Sequence, residues 1–454
     1  MRFVTLIRHP VAMAGAVITT VSAVVFIGLT IAAVMGMFSN PYAGLVVFVI
    51  VPGVFLVGLL LIPIGGSLER RRLRRHPDEV VDWPVVDLRK QSVRRTIFLI
   101  IGLTAVNVVI VSLAGYGGVH WMESPQFCGQ ACHAPMHPQF TAWQASTHSR
   151  IACVNCHVGE GARGFLRAKL AGVRQLAHVV TGQYPRPVPV WVDMPPGAQA
   201  QTCVGCHQPH RTTGDVIRLV REYADDEANS ETITILQMHV GTASSSGRSI
   251  HWHADPSVRV DFAATDESRQ TIPYVRVTRA DGSVKEYRAE GVPAQPPAES
   301  VRMTMDCTDC HNTVGHPIAP TPEKAVDGAI ADGLLNRKLP FARREAVRLM
   351  TASHANEDEA VRAIERELRS FYESRSGGVD PQSVAQAIAA TQKVYRDNIF
   401  PWMKVTWGTY PNNKGHVTSN GCFRCHDDSH QASDGSKISA DCEYCHKQIE
   451  RELN

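Results

Sequence analysis

Cys153-Val154-Asn155-Cys156-His157 sets two thiols three positions apart, with an imidazole directly behind the second. The arrangement returns as Cys203-Val204-Gly205-Cys206-His207, Cys307-Thr308-Asp309-Cys310-His311, Cys422-Phe423-Arg424-Cys425-His426 and Cys442-Glu443-Tyr444-Cys445-His446. Cys128-Gly129-Gln130-Ala131-Cys132-His133 repeats it with one more residue between the thiols. Together these motifs use all 12 cysteines of the 454-residue chain. Chance would put a histidine behind every pair with a probability on the order of 10⁻⁸, whereas covalent haem attachment requires it. Disulfides or zinc ribbons could use the pairs but would not need the histidines. The motifs therefore predict six covalently bound haem c groups, with His133, His157, His207, His311, His426 and His446 as proximal iron ligands. The wider first motif still reaches both vinyl groups through a longer bulge before Cys132.

Upstream of the motifs the composition changes character. Residues 11–37, 43–64 and 96–115 are almost continuously apolar and uncharged, each about long enough to cross a ~30 Å hydrocarbon core. The first is too long for a cleaved signal peptide and is followed within a few residues by the second. Between the second and third spans lie nine Lys or Arg, including the run Arg70-Arg71-Arg72-Leu73-Arg74-Arg75. Flanked by membrane spans, that run reads as a cytoplasmic loop and not as a nucleic-acid patch. The N-terminus is then expected in the cytoplasm, and everything after the third span on the periplasmic face of the inner membrane. The spans carry no facing histidines for a b-type haem, so electrons would enter through a c-type haem at the outer surface.

Electron-transfer haems are usually six-coordinate. With the proximal histidines and the cytoplasmic His9 and His76 set aside, His120, His137, His148, His178, His210, His239, His251, His253, His316, His354, His416 and His430 remain as distal candidates. His316 and His430 follow motif histidines by five and four residues, and His416 precedes Cys422 in a polar turn. Met136 follows the first motif, and a methionine ligand there would raise the potential of the first haem.

The stretch Phe127 to Pro138, with Trp143-Gln144-Ala145-Ser146-Thr147-His148 and the second motif, resembles the NapC/NirT/NrfH family of membrane-anchored quinol dehydrogenases. Ile250-His251-Trp252-His253, Met305 to Asn312, and Gly415-His416 leading through Cys422 to His430 are similar to a larger branch of that family, with three spans and extra haems. The resemblance implies distal roles for His148, His316, His416 and His430, plus one of His251 or His253, leaving Met136 for the first haem. It also puts Lys169 in a quinol pocket beside that haem. An acidic residue that the family carries near the first haem falls here at Leu176, and the spacing around Met136 departs from the family's.

Two insertions separate the motifs. Tyr274 to Ala280 and Ser283 to Tyr287 flank Asp281-Gly282, a hairpin signal. Residues 357–373, after Asn356, and 381–396, after Asp380-Pro381, read as capped helices. With most haem segments expected as loops, the core of the soluble part would be largely haem. The expected fold is mainly α with much irregular structure: an anchor of three transmembrane helices over 1–118, a three-haem region over 119–211, a β-rich insertion over 212–306, and a three-haem region with a helical insertion over 307–454. Such a protein would oxidise membrane quinol or menaquinol and relay electrons to periplasmic redox partner proteins, with the lipid bilayer as its support and room for an oligomer. Two other readings are a tethered carrier fed by a partner subunit, and a terminal oxyanion reductase, which would need a haem with an open position.

Overall fold

A computed structural model describes residues 9–35, 46–75, 88–131, 133–158, 161–189, 202–208, 214–241, 249–292, 301–375 and 378–453. They form two compact units, Met1–His133 and Ala134–Asn454, each described by itself.

The first unit is built on three long helices, α1 (Pro10–Val34), α2 (Val51–Arg75) and α3 (Gln91–Met122). Their apolar segments Pro10–Ala32, Val51–Arg72 and Thr104–Met122 are each long enough to span a membrane. Small residues let α1 and α2 approach closely. A Cβ on Gly15 would fall 2.7 Å from the Gly58 carbonyl, and one on Gly58 would fall 2.6 Å from the Thr19 hydroxyl. Close backbone approach of this kind is how helices associate in lipid, where burial supplies no hydrophobic drive. The arginine run is not a loop: it continues α2 to Arg75. The helix that holds the expected third span runs on past it to Met122, close to the first motif.

The second unit holds two antiparallel sheets and a helical lobe. Strand β2 (Glu231–Met238) lies between β1 (Val216–Tyr223) and β8 (His446–Leu453) and pairs with both, so the sixth motif's histidine opens a strand that joins the insertion from the far end of the chain. The second sheet has the order β6 (Val301–Thr304), β3 (Val258–Ala264), β4 (Tyr274–Arg279), β5 (Val284–Arg288), β7 (Gln431–Ala432). The expected hairpin is β4–β5, with Gly282 at φ +79° in its turn. The sheet's buried side chains Val260, Phe262, Val275 and Val277 pack against Trp252, Met303, Met305 and Cys425.

The two helices read from the sequence are present as α10 (Glu357–Glu373) and α11 (Pro381–Asn398). Asn356 accepts from the Glu359 amide and Asp380 from that of Ser383. Glu359 reaches back one residue further than in a capping box, to the Ala355 amide. Two shorter helices escaped the sequence reading, α8 (Pro322–Ala331) and α9 (Ala342–Met350). All four enclose Val326, Leu349, Ile364, Leu368, Tyr395 and their neighbours. Burying each such large apolar side chain contributes roughly 1.5–3 kcal/mol, so this lobe has a hydrophobic core of its own. That corrects the expectation of a core made largely of haem. Asn229 ties the lobe to the first sheet: its buried amide donates to the Arg337 and Leu339 carbonyls and its oxygen accepts from the Arg343 amide.

Candidate functional site

Five motif histidines each face a second histidine from elsewhere in the second unit. The ring centroids are 6.0 Å apart for His157 and His316, 6.0 Å for His207 and His148, and 6.3 Å for His311 and His251. They are 5.9 Å apart for His426 and His253 and 6.1 Å for His446 and His416. A bond from metal to imidazole nitrogen is about 2 Å, and the centroid lies roughly 1 Å behind that nitrogen, so two imidazoles on opposite sides of one metal have centroids roughly 6 Å apart. The spacing of all five pairs thus fits one iron between two rings.

Hydrogen bonds hold several of these rings by Nδ1, leaving Nε2 for a metal. His316 is bonded through Nδ1 to the Gln139 carbonyl (3.0 Å), His253 to that of Ile250 (2.9 Å) and His426 to that of Ser439 (2.9 Å). Burial pushes the pKa values of His253, His311, His316 and His446 below the ordinary imidazole value. The neutral form that results is the one with a lone pair to give.

Local turns set this geometry. His251 and His253 sit two apart on a short 3₁₀ turn, Ile250–Ala254, so their rings leave on different sides and meet different motifs. Trp252 between them packs on the second sheet. His416 is placed by a strap in which the Cys422 amide donates to the Gly415 carbonyl (3.0 Å). Gly421, at φ +45°, makes that strap feasible, since a Cβ there would overlap the Gly415 carbonyl. In the fourth motif Asp306 and Asp309 form a capping box around the turn Cys307–Cys310.

The thiols of successive motifs are neighbours. Cys203 lies near Cys307, Cys156 near Cys206, and Cys422 near both Cys310 and Cys445. Motifs two to six therefore run in space in the order they have in sequence.

Other expected site residues lie differently. Both His251 and His253 face motif histidines, and His430 faces none. The His430 ring is 1% exposed; its Nε2 donates to the Ile272 carbonyl (2.7 Å) and its Nδ1 meets the Asp427 carboxylate (2.8 Å). A protonated Nε2 has no lone pair for iron, so the expected ligand role of His430 does not fit. Cys132 and His210 lie outside the described residues, as does the side chain of His133. Cys128 lies on the short segment Phe127–Ala131 after α3, and Met136 is half-buried on the helix α4 (His133–Gln144). His137 packs against Phe400 and Trp402.

Lys169 lies on the helix α6 (Gly161–Val180; the second motif forms the intervening turn α5, Cys153–His157). Leu166, Leu170, Val173, Leu176 and Val180 make one exposed apolar face of α6, and by helical spacing the half-buried Lys169 falls within it. In the first unit a cavity of about 310 Å³ is lined by apolar residues of all three helices, including Phe26, Pro52, Gly53, Ala114 and Met122.

The NapC/NirT cytochrome c family, N-terminal region, matches residues 90–187. The cytochrome c-type protein ImcH of Geobacter sulfurreducens is 35% identical over 449 residues, which cover 97% of this chain and 88% of that protein. No solved structure matches the chain.

Proposed function

Because the chain belongs to the NapC/NirT cytochrome c family, in its ImcH-like branch, we propose that it is a quinol dehydrogenase of the inner membrane that relays electrons to periplasmic partner proteins. The observation that carries the relay is the row of five facing histidine pairs beside thiol pairs that neighbour one another in sequence order.

In this reading Cys128 and Cys132, Cys153 and Cys156, Cys203 and Cys206, Cys307 and Cys310, Cys422 and Cys425, and Cys442 and Cys445 hold six haem c groups. When bound, each haem supplies a one-electron couple at its iron. Five irons would be held by the pairs His157 and His316, His207 and His148, His311 and His251, His426 and His253, and His446 and His416. His133 and Met136 would hold the first. The soluble unit faces the periplasm, because the basic end of α2 stays in the cytoplasm.

Quinol releases two electrons and two protons as it becomes quinone. The apolar face of α6 suits an interfacial helix, whose hydrophobic side enters the boundary between headgroups and acyl chains. Lys169 on that face would then hold a quinol oxygen at headgroup depth, where its ammonium stabilises the anion left as the proton departs.

The test is stopped-flow reduction of the oxidised, detergent-solubilised protein by a menaquinol analogue. We expect rapid haem reduction, slowed on the order of tenfold or more by Lys169→Leu, with dithionite reduction unchanged. Equal rates for the variant and the unaltered chain would remove Lys169 from the site, and no reduction by any quinol would favour a tethered carrier.

A further inference from the structure

Arg424 is the second of the two residues between Cys422 and Cys425 in the fifth motif and is only 7% exposed. A guanidinium this deep is ordinarily matched by a carboxylate. Here its Nε donates to the Gly421 carbonyl (2.7 Å), one terminal nitrogen to the Arg269 carbonyl (3.0 Å) and the other to the Asp309 carbonyl (2.8 Å). All three acceptors are neutral backbone groups, so the hydrogen bonds are satisfied while the charge is not. The carboxylate of Asp309 is engaged by the Arg269 side chain (2.7 Å). Arg424, Arg269 and Asp309, with Asp306 beside Asp309, thus form a cluster that joins the fourth and fifth motifs, and within it Arg424 has only neutral acceptors.

The position of that charge matters. Arg424 directly precedes Cys425 in the chain and donates to the carbonyl of Asp309, the residue that directly precedes Cys310. Its field therefore reaches the attachment atoms of two haem sites at once. A ferric haem carries one more positive charge than a ferrous one, and a fixed cation in a weakly screening interior disfavours the ferric form.

We propose that Arg424 is a redox-tuning residue whose buried charge raises the reduction potentials of the two irons held by His311 and His426. This rests on the reading that the fourth and fifth motifs bind haem c. Arg424 touches neither iron and acts through its charge. It also ties three backbone segments together, and the two roles separate by chemistry. Lysine keeps the charge and loses the planar fork, whereas glutamine keeps hydrogen-bonding capacity and loses the charge.

The experiment is potentiometric titration of the full-length protein, with haem number checked by intact mass. Arg424→Gln is expected to shift two of the six haems to lower potential and leave the rest unmoved. Arg424→Lys should keep all potentials near their original values even where it lowers thermal stability. Arg269→Gln removes positive charge from the same cluster at a less buried position, so it should shift the same two haems in the same direction, and it serves if Arg424→Gln fails to fold. A fully loaded Arg424→Gln with unchanged potentials would overturn the proposal, as would an Arg424→Lys that shifts as far as the glutamine. Fewer than six haems on the unaltered chain would instead overturn the functional reading.

Discussion

The imidazole of His253 faces that of His426 with ring centroids 5.9 Å apart. The Nδ1 of His253 is taken up by the Ile250 carbonyl, so the nitrogen left for a metal is Nε2. Two residues earlier on the same turn, His251 faces His311. One short piece of backbone, held by Trp252 against the second sheet, thus presents rings to two successive motifs.

Separate replacement of these rings should therefore alter separate haems. We expect His251→Met and His253→Met each to raise the potential of one haem by on the order of 100 mV, as methionine replaces imidazole, and the double variant to change two. His430→Ala should move no haem potential or low-spin signal. It should cost roughly 2–4 kcal/mol of stability, through the cavity and the bonds lost to Ile272 and Asp427. Electron paramagnetic resonance with redox titration reads the first set and thermal unfolding the second. A shared haem for His251 and His253, or a lost low-spin signal in His430→Ala, would refute the assignment.

The contact between the first two spanning helices makes a contrast between glycines. A methyl group at Gly58 meets the Thr19 hydroxyl and amide, whereas one at Gly53 meets nothing within 4 Å. Gly58→Ala should push the helices apart at a cost of roughly 1–3 kcal/mol. Gly53→Ala should be neutral or gain up to about 1 kcal/mol from helix propensity. Unfolding of the detergent-solubilised protein distinguishes the two, and equal effects would mean that Gly58 is not a packing position.

Tyr372 in the helical lobe predicts an alkaline effect. Burial, aided by Glu345, pushes its phenol from 10.0 to about 12, and its hydroxyl donates to the Pro340 carbonyl. The folded state therefore holds a proton that the unfolded chain releases earlier. Its contribution to stability is complete below pH 10 and is lost as the pH rises towards 12. Tyr372→Phe should flatten the fall in stability over that window, read as denaturant midpoint against pH. An unchanged slope would count against a buried, protonated phenol.

Much of the site was written locally in the chain. Two thiols and an imidazole within five or six residues are a chemical instruction that no distant contact has to complete, and twenty apolar residues dictate a membrane helix by length alone. The hairpin at Asp281-Gly282 and the caps at Asn356 and Asp380 were legible for the same reason: each is a hydrogen-bonding or backbone preference expressed within four residues. The helix α8 escaped notice because its apolar positions are few, and its Val326, Ala329 and Ile330 are buried in a core shared with the other three helices.

Which histidine faces which motif could not be read this way. His316 reaches the second motif and His148 the third, pairings that depend on how the chain folds back. His430, close behind a motif histidine in sequence, is turned instead to Ile272 and Asp427. The strand β8 shows the same limit, since its partner β2 lies in a distant insertion. The sequence by itself determined where the motifs of two cysteines and a histidine lie, how many there are, and that the chain holds helices long and apolar enough to cross a membrane, because motif spacing and hydrophobic length are properties of contiguous residues. Only the tertiary structure decided which imidazole faces which motif and where Arg424 leaves its charge, because ligand geometry and electrostatic fields depend on distances through space between residues far apart along the chain.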